Sequence, residues 1–87
     1  MVKHKKIYVK HFGYGEQSFI PCECCGREAV EIHHIKYKSR GGTDDIDNLM
    51  AICRRHHDMA HNEQLNEADL RYIHNNFLLG HRIKFMK

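Results

Sequence analysis

Two ligand pairs bracket the middle of this chain: Cys22-x-x-Cys25, followed by Gly26, and Cys53-x-x-His56. They constrain the fold more than any other feature, because a chain of 87 residues buries a core worth only ~3–5 kcal/mol net. A Cys-x-x-Cys-Gly turn aims backbone N–H groups at the thiolates, and its glycine accepts the φ > 0 geometry of the turn. Cys22, Cys25, Cys53 and His56 together make a Cys3His set suited to tetrahedral structural zinc. Such zinc contributes an apparent ~10–16 kcal/mol in small peptides, so this site is expected to decide whether the chain folds. Cys24 is a rival ligand. Adjacent residues chelate one ion poorly, which favours Cys22 with Cys25.

Composition narrows the setting. No apolar run approaches the ~20 residues that span a bilayer, and no apolar segment of ~7–15 residues follows the basic N-terminus as an export signal would require. The cysteines are therefore expected in a reducing cytoplasm, as metal ligands sooner than as disulfides. A disulfide-bonded extracellular domain is the reading this sets aside. The net charge of +3 is compatible with a nucleic-acid partner without requiring one. Basic residues gather in Lys3–Lys10, Lys36–Arg40, Arg54–Arg55 and Arg82–Lys87, and acids in Asp44–Asp47 and Glu63–Asp69.

Between the ligand pairs lies Glu31-Ile32-His33-His34-Ile35. Imidazoles are costly to desolvate inside a strand unless they are partnered, and their near-neutral pKa suits ligation and proton transfer. Ala29–Ile35 and Leu49–Cys53 read as an antiparallel strand pair joined by a polar loop, Lys36–Asp45, that contains Gly41-Gly42. Arg54–Asn62 lacks Pro and Gly and reads as a helix. His57 and His61, four residues apart, then share one face, while His56 is turned about 100° away. One member of the His56-His57 doublet can face the structural zinc and the other a second metal.

Strand geometry puts His33 and His34 on opposite faces, so bringing both to one site requires a strand end or bulge at Ile35–Lys36. His33, His57 and His61 then make an all-imidazole site with open positions, suited to Zn, Ni, Mn or Co rather than Mg. Glu31 lies on the His33 face and reads first as a surface carboxylate, second as a group orienting a ligand. Asp44, Asp45 and Asp47 read as loop solvation.

The flanks carry weaker signals. Residues 1–20 form a basic segment in which Ile7-Tyr8-Val9 suggests a short strand or arm, broken by Gly13 and Gly15. Residues 65–87 read as a helix capped at Asn66 and followed by a basic tail. Leu70, Ile73, Phe77 and Leu78 lie on its apolar face, and Gly80 is placed to close it.

From Pro21 to His61 the motifs taken together resemble the zinc-stabilised, phage and bacterial type of HNH endonuclease. They are Cys-x-x-Cys-Gly, Glu-Ile-His-His-Ile, Gly-Gly-Thr followed by Asp47-Asn48-Leu49, Cys-x-x-His-His and the final His61. The resemblance implies an α+β fold: a small ββα-metal core over residues 21–64, with a β-hairpin and a helix, a zinc staple, and an additional C-terminal helix. It implies a metal-dependent endonuclease that hydrolyses DNA phosphodiester bonds. His34 would correspond to the general base that activates water. Asn48 would brace the loop and orient His34. His57, with His33 and His61, would hold the catalytic divalent ion, which stabilises the phosphate and the leaving 3′-oxygen. Where some relatives carry aspartate before the base, this chain has His33, which fits a softer metal. Lys36, Lys38, Arg40, Arg54 and Arg55 flank these positions and could contact phosphates. DNA is the implied partner, with a homodimer or a larger phage or bacterial protein as further partners. The alternative is a non-catalytic, zinc-bound nucleic-acid-binding module.

Overall fold

A two-stranded hairpin sits at the centre of the computed structural model, which describes residues 2–15 and 18–84, with side chains as far as residue 80. β1 (Glu31–His34) pairs antiparallel with β2 (Leu49–Ile52), in the register Glu31 to Ile52, Ile32 to Ala51, His33 to Met50 and His34 to Leu49. A lone hairpin is marginal in water, and this one is covered on both faces. The alternation of side chains assigns the coverage. Ile32, Leu49 and Ala51 lie in one apolar cluster with Tyr8 and Phe12. Met50 and Ile52 lie in the other, with Cys22, Ile35, Cys53, Ala60 and Leu70. The chain is α+β, as its motifs imply, with helices on either side of a small sheet.

The first helix corrects the expectation of a strand or arm near Ile7-Tyr8-Val9. α1 spans Lys3–Phe12 and buries Tyr8, Val9 and Phe12. The β-branched residues favour a strand locally, but Tyr8 and Phe12 can meet on one face only at helical spacing. Their rings are 4.7 Å apart, and Phe12 packs edge-on against Phe77 at 5.5 Å. Burial of these aromatics outweighs the weak strand preference. Gly13, at φ 72°, ends the helix in the left-handed conformation.

The zinc-knuckle turn forms as read, with Gly26 at φ 80° donating its N–H to Cys22 O at 2.8 Å. The strands are shorter than expected at both outer ends, because β1 begins at Glu31 and β2 stops at Ile52. Beyond β1 the chain turns away at Ile35, the strand end that the histidine doublet called for. Asn48 holds that departure: its Oδ1 accepts the Lys36 N–H at 2.8 Å, and its Nδ2 donates to Lys36 O at 3.1 Å and Thr43 O at 2.8 Å. Gly42 is required here, since a Cβ would sit 1.8 Å from Lys36 O.

α2 (Arg54–His61) follows directly from Cys53, and His57 N–H donates to Cys53 O at 2.9 Å. α3 (Glu67–Lys84) starts with a reciprocal cap. The Asp69 N–H donates to Asn66 Oδ1 at 2.8 Å, and the Asn66 N–H donates to Asp69 Oδ2 at 3.1 Å. Gly80 does not close α3, which runs on to Lys84. A single helix-interior glycine costs only about 1 kcal/mol, too little to end a helix that Phe77 and Leu78 anchor on the core. The basic tail at Arg82–Lys87 lies outside the residues whose side chains are described. Among the described residues no helix is long and apolar enough to cross a membrane.

Candidate functional site

The zinc-type cluster is assembled by the knuckle, the end of β2 and the first turn of α2. Donor atoms of Cys22, Cys25, Cys53 and His56 lie within 4.8 Å of one another. Cys25 Sγ is 3.7 Å from Cys53 Sγ, and His56 Nδ1 is 3.2 Å from Cys53 Sγ and 3.8 Å from Cys22 Sγ. A tetrahedral ion with Zn–S bonds of about 2.3 Å has S···S edges of roughly 3.8 Å, so the donors already stand at zinc spacing. Burial pushes the Cys53 thiol up, but the backbone and side chain of His56 and the neighbouring Cys25 and Cys22 outweigh it, lowering Cys53 to about 6. That favours the thiolate a metal needs. Cys24 stands outside the cluster, and burial with the adjacent Cys22 raises its thiol to about 12.

β1 divides the histidine doublet between two neighbourhoods. His33, almost fully buried, faces α2. Its Nδ1 is 3.6 Å from Glu31 Oε1, and His57 Nε2 is 2.7 Å from the same oxygen. Glu31, His33 and His57 form a compact donor group. His61 joins through His57, with the two Nε2 atoms 3.0 Å apart. The structure thus brings together the three histidines singled out as ligands and adds Glu31, a surface carboxylate, as read, whose Oε1 also reaches into the cluster. His57 Nδ1 is buried without a hydrogen-bond partner and stands 3.7 Å from Asp58 Oδ1. Burial holds His33 below the ordinary imidazole pKa, with Glu31 opposing and His57 and His61 reinforcing the shift. Neutral imidazoles and a carboxylate suit a borderline divalent ion.

His34 faces the other way, toward α1. Its Nε2 is 2.8 Å from Asp44 Oδ1, and its ring lies 4.5 Å from that of His4. Lys38 Nζ donates to Asp44 Oδ2 at 3.1 Å. Asp44 was expected to be loop solvation. Instead, the hydrogen bond from His34 and the Lys38 ammonium hold its carboxyl below the usual carboxylate range. With Nε2–H directed at Asp44, Nδ1 of His34 is left to accept a proton. Asn48 does not touch the ring. It ties Lys36, two residues after His34, to Thr43, one residue before Asp44, and so fixes the two ends of the loop that make this pair.

The five basic candidates are all exposed. Arg40 lines an open cleft with His33, Tyr37 and His61. Lys38 is engaged by Asp44, and Arg54 is 3.8 Å from Asp58.

Sequence reasoning missed a second polar assembly. Glu23, inside the knuckle, is fully buried with His74 of α3, Nδ1 to Oε1 at 2.6 Å. Tyr8 donates to Glu23 Oε2 at 2.6 Å, and His74 Nε2 donates to Ile46 O at 2.7 Å. Burial beside Glu23 pushes the Tyr8 hydroxyl far up, which keeps it a donor. One turn earlier on α3, Arg71 donates to Asp47 O at 3.2 Å and Asn48 Oδ1 at 3.3 Å. The available signal was His74 itself, a polar residue on the apolar face defined by Leu70, Ile73 and Phe77.

A hairpin and following helix with a Cys3His cluster, and a separate His-rich donor group where strand meets helix, define a small ββα metal-binding domain. The model of the HNH endonuclease family matches residues 22–63, which span the knuckle, hairpin and α2, so this segment is similar to the HNH endonucleases. No curated protein and no solved structure gives a match. The match points to a nuclease-related, metal-binding segment.

Proposed function

We propose that this protein is a metal-dependent DNA endonuclease in which His34 is the general base. The observation that carries the reading is the division of the doublet. His33 keeps company with Glu31, His57 and His61, while His34 stands apart from that donor group with Nε2 on Asp44. A neutral imidazole held this way takes the proton of an attacking water at Nδ1, and the Asp44 carboxylate stabilises the imidazolium that results. Asn48 is a positioning residue, holding the loop that sets Asp44 against His34.

His33 and His57, with Glu31 or His61, would hold the ion. When bound there, a divalent ion of the Zn, Ni, Mn or Co type supplies charge neutralisation at the phosphate and the leaving 3′-oxygen. A phosphodiester laid across the open end of β1 meets both faces of the strand, with Arg40 and Lys36 placed for neighbouring phosphates. A non-catalytic zinc-bound module would need neither a histidine outside the ligand group nor an aspartate to orient it.

The test is nicking of supercoiled plasmid by purified protein across a panel of divalent ions. His34→Ala is expected to lower the rate by ~10²–10⁴-fold, with zinc content and thermal transition retained. Nicking by that variant at the parental rate would sink the assignment.

A further inference from the structure

The neighbourhood of His34 contains a second imidazole that the reaction above does not use. His4 projects from α1, and its ring is tilted 54° against that of His34. Donor atoms of His4, His34 and Asp44 lie within 4.8 Å of one another, and all three residues are partly buried. They come from three separate elements, α1, β1 and the loop after β1. Two imidazoles and a carboxylate form a donor set for zinc and its neighbours, with a fourth position left for water. Lys38 Nζ, 3.1 Å from Asp44 Oδ2, opposes a second cation here, so this group is weaker than the cysteine cluster.

We propose that His4, His34 and Asp44 form an additional metal site, which takes Zn²⁺ in excess and silences the enzyme when filled. The inhibitory consequence rests on His34 being the base; the binding does not. A neutral imidazole has one nitrogen with a free lone pair and one that carries hydrogen. Ligation through either nitrogen of His34 uses the lone pair, and the hydrogen stays on the other. The ring then has no acceptor for the proton of water. Asp44 exchanges its hydrogen bond from His34 for the ion, so the contact that orients the base is lost at the same step. Both effects act on a site separate from His33 and His57, so a metal that supports cleavage there and one that blocks it here can be present together.

Calorimetric titration of Zn²⁺ alone into protein already holding its cysteine-bound zinc tests the site without DNA. The parent is expected to bind one equivalent that His4→Gln loses or binds at least about tenfold more weakly, the scale on which a metal site responds to loss of even an outer partner. Lys38→Met should bind that equivalent more tightly. In nicking supported by Mn²⁺, added Zn²⁺ should inhibit the parent at concentrations at least about tenfold lower than those that inhibit His4→Gln. Asp44→Asn provides a second loss-of-site variant should His4→Gln fold poorly. Identical stoichiometry and affinity in the parent and both site variants would overturn the site. A lost equivalent with unchanged Zn²⁺ inhibition would overturn the inhibitory role. A parent that cuts in no metal would defeat the endonuclease reading, while the calorimetry would still decide the site.

Discussion

The segment from Cys22 to Glu63 and the two helices that flank it are held by different chemistry. Inside the segment, soft and borderline donors dominate: three thiols and His56 at one end of the hairpin, and Glu31, His33, His57 and His61 beside α2. The flanks bring apolar surface and one buried chain of hydrogen bonds. Tyr8 of α1 and His74 of α3 both end on Glu23, which lies between two cysteines of the knuckle. Ala51 N–H of β2 also reaches Glu23 Oε2, at 3.3 Å. A Cys3His donor cluster and a carboxylate thus meet at the same turn from opposite sides. The chemistry of the segment depends on helices that carry no family motif, because α1 covers the His34 face and α3 grips the loop of Asn48.

The largest effect that could break this comparison is disruption of the Cys3His cluster. Cys53→Ala removes the thiol that contacts both Cys25 and His56. Structural zinc is worth an apparent ~10–16 kcal/mol, against a core of ~3–5 kcal/mol net. The variant is expected to show no cooperative thermal transition, and a strong chelator should abolish the transition of the parent. A parental transition in Cys53→Ala would mean that the flanks alone hold the fold.

The buried chain should come next. His74→Ala leaves the Glu23 carboxylate without its imidazole in a place where both side chains are fully buried. Breaking a buried pair by removing one partner costs about 3–5 kcal/mol, whereas replacing both with apolar groups can be close to neutral. The urea midpoint of zinc-loaded His74→Ala should therefore fall sharply, and Glu23→Leu with His74→Leu should recover part of the loss. A change below about 1 kcal/mol for His74→Ala would show that the flanks are held by apolar packing alone.

These two fastenings also mark what could be seen in the sequence. The cysteine cluster was legible because its spacing is local: Cys-x-x-Cys-Gly and Cys-x-x-His each fit one turn of chain. The hairpin and α2 were legible from apolar runs and the absence of breakers, and Asn66 as a cap from its position before Asp69. Strand alternation foretold that His33 and His34 face apart. It could not say what awaits each ring, and Asp44 and His4 come from a loop and a helix with no spacing rule to link them to His34. Glu23 was hidden by its neighbours, because a carboxylate between cysteines reads as exposed turn. α1 is hidden for a related reason. Three residues of strand preference stood out locally, while the aromatic spacing of Tyr8 and Phe12 pays only against a partner surface that the sequence does not display.

The smallest effect concerns Arg71, and it separates support of the site from contact with substrate. Its hydrogen bonds to Asp47 O and Asn48 Oδ1 are long, and its side chain is 36% exposed, so Arg71→Ala should cost under about 1 kcal/mol of stability. Cleavage should suffer more than folding, because Asn48 also holds Lys36 and Thr43, which frame His34 and Asp44. If His34 is the base, as proposed, a loosened loop would misplace it, lowering kcat and leaving DNA affinity in place. An arginine that instead contacts DNA would raise KM when removed and make the salt dependence of binding shallower, since one fewer phosphate is neutralised. The expected outcome is a several-fold loss in kcat with the salt slope unchanged. A raised KM with a shallower slope would move Arg71 from the scaffold of the Asn48 loop to the DNA-binding surface, and α3 with it.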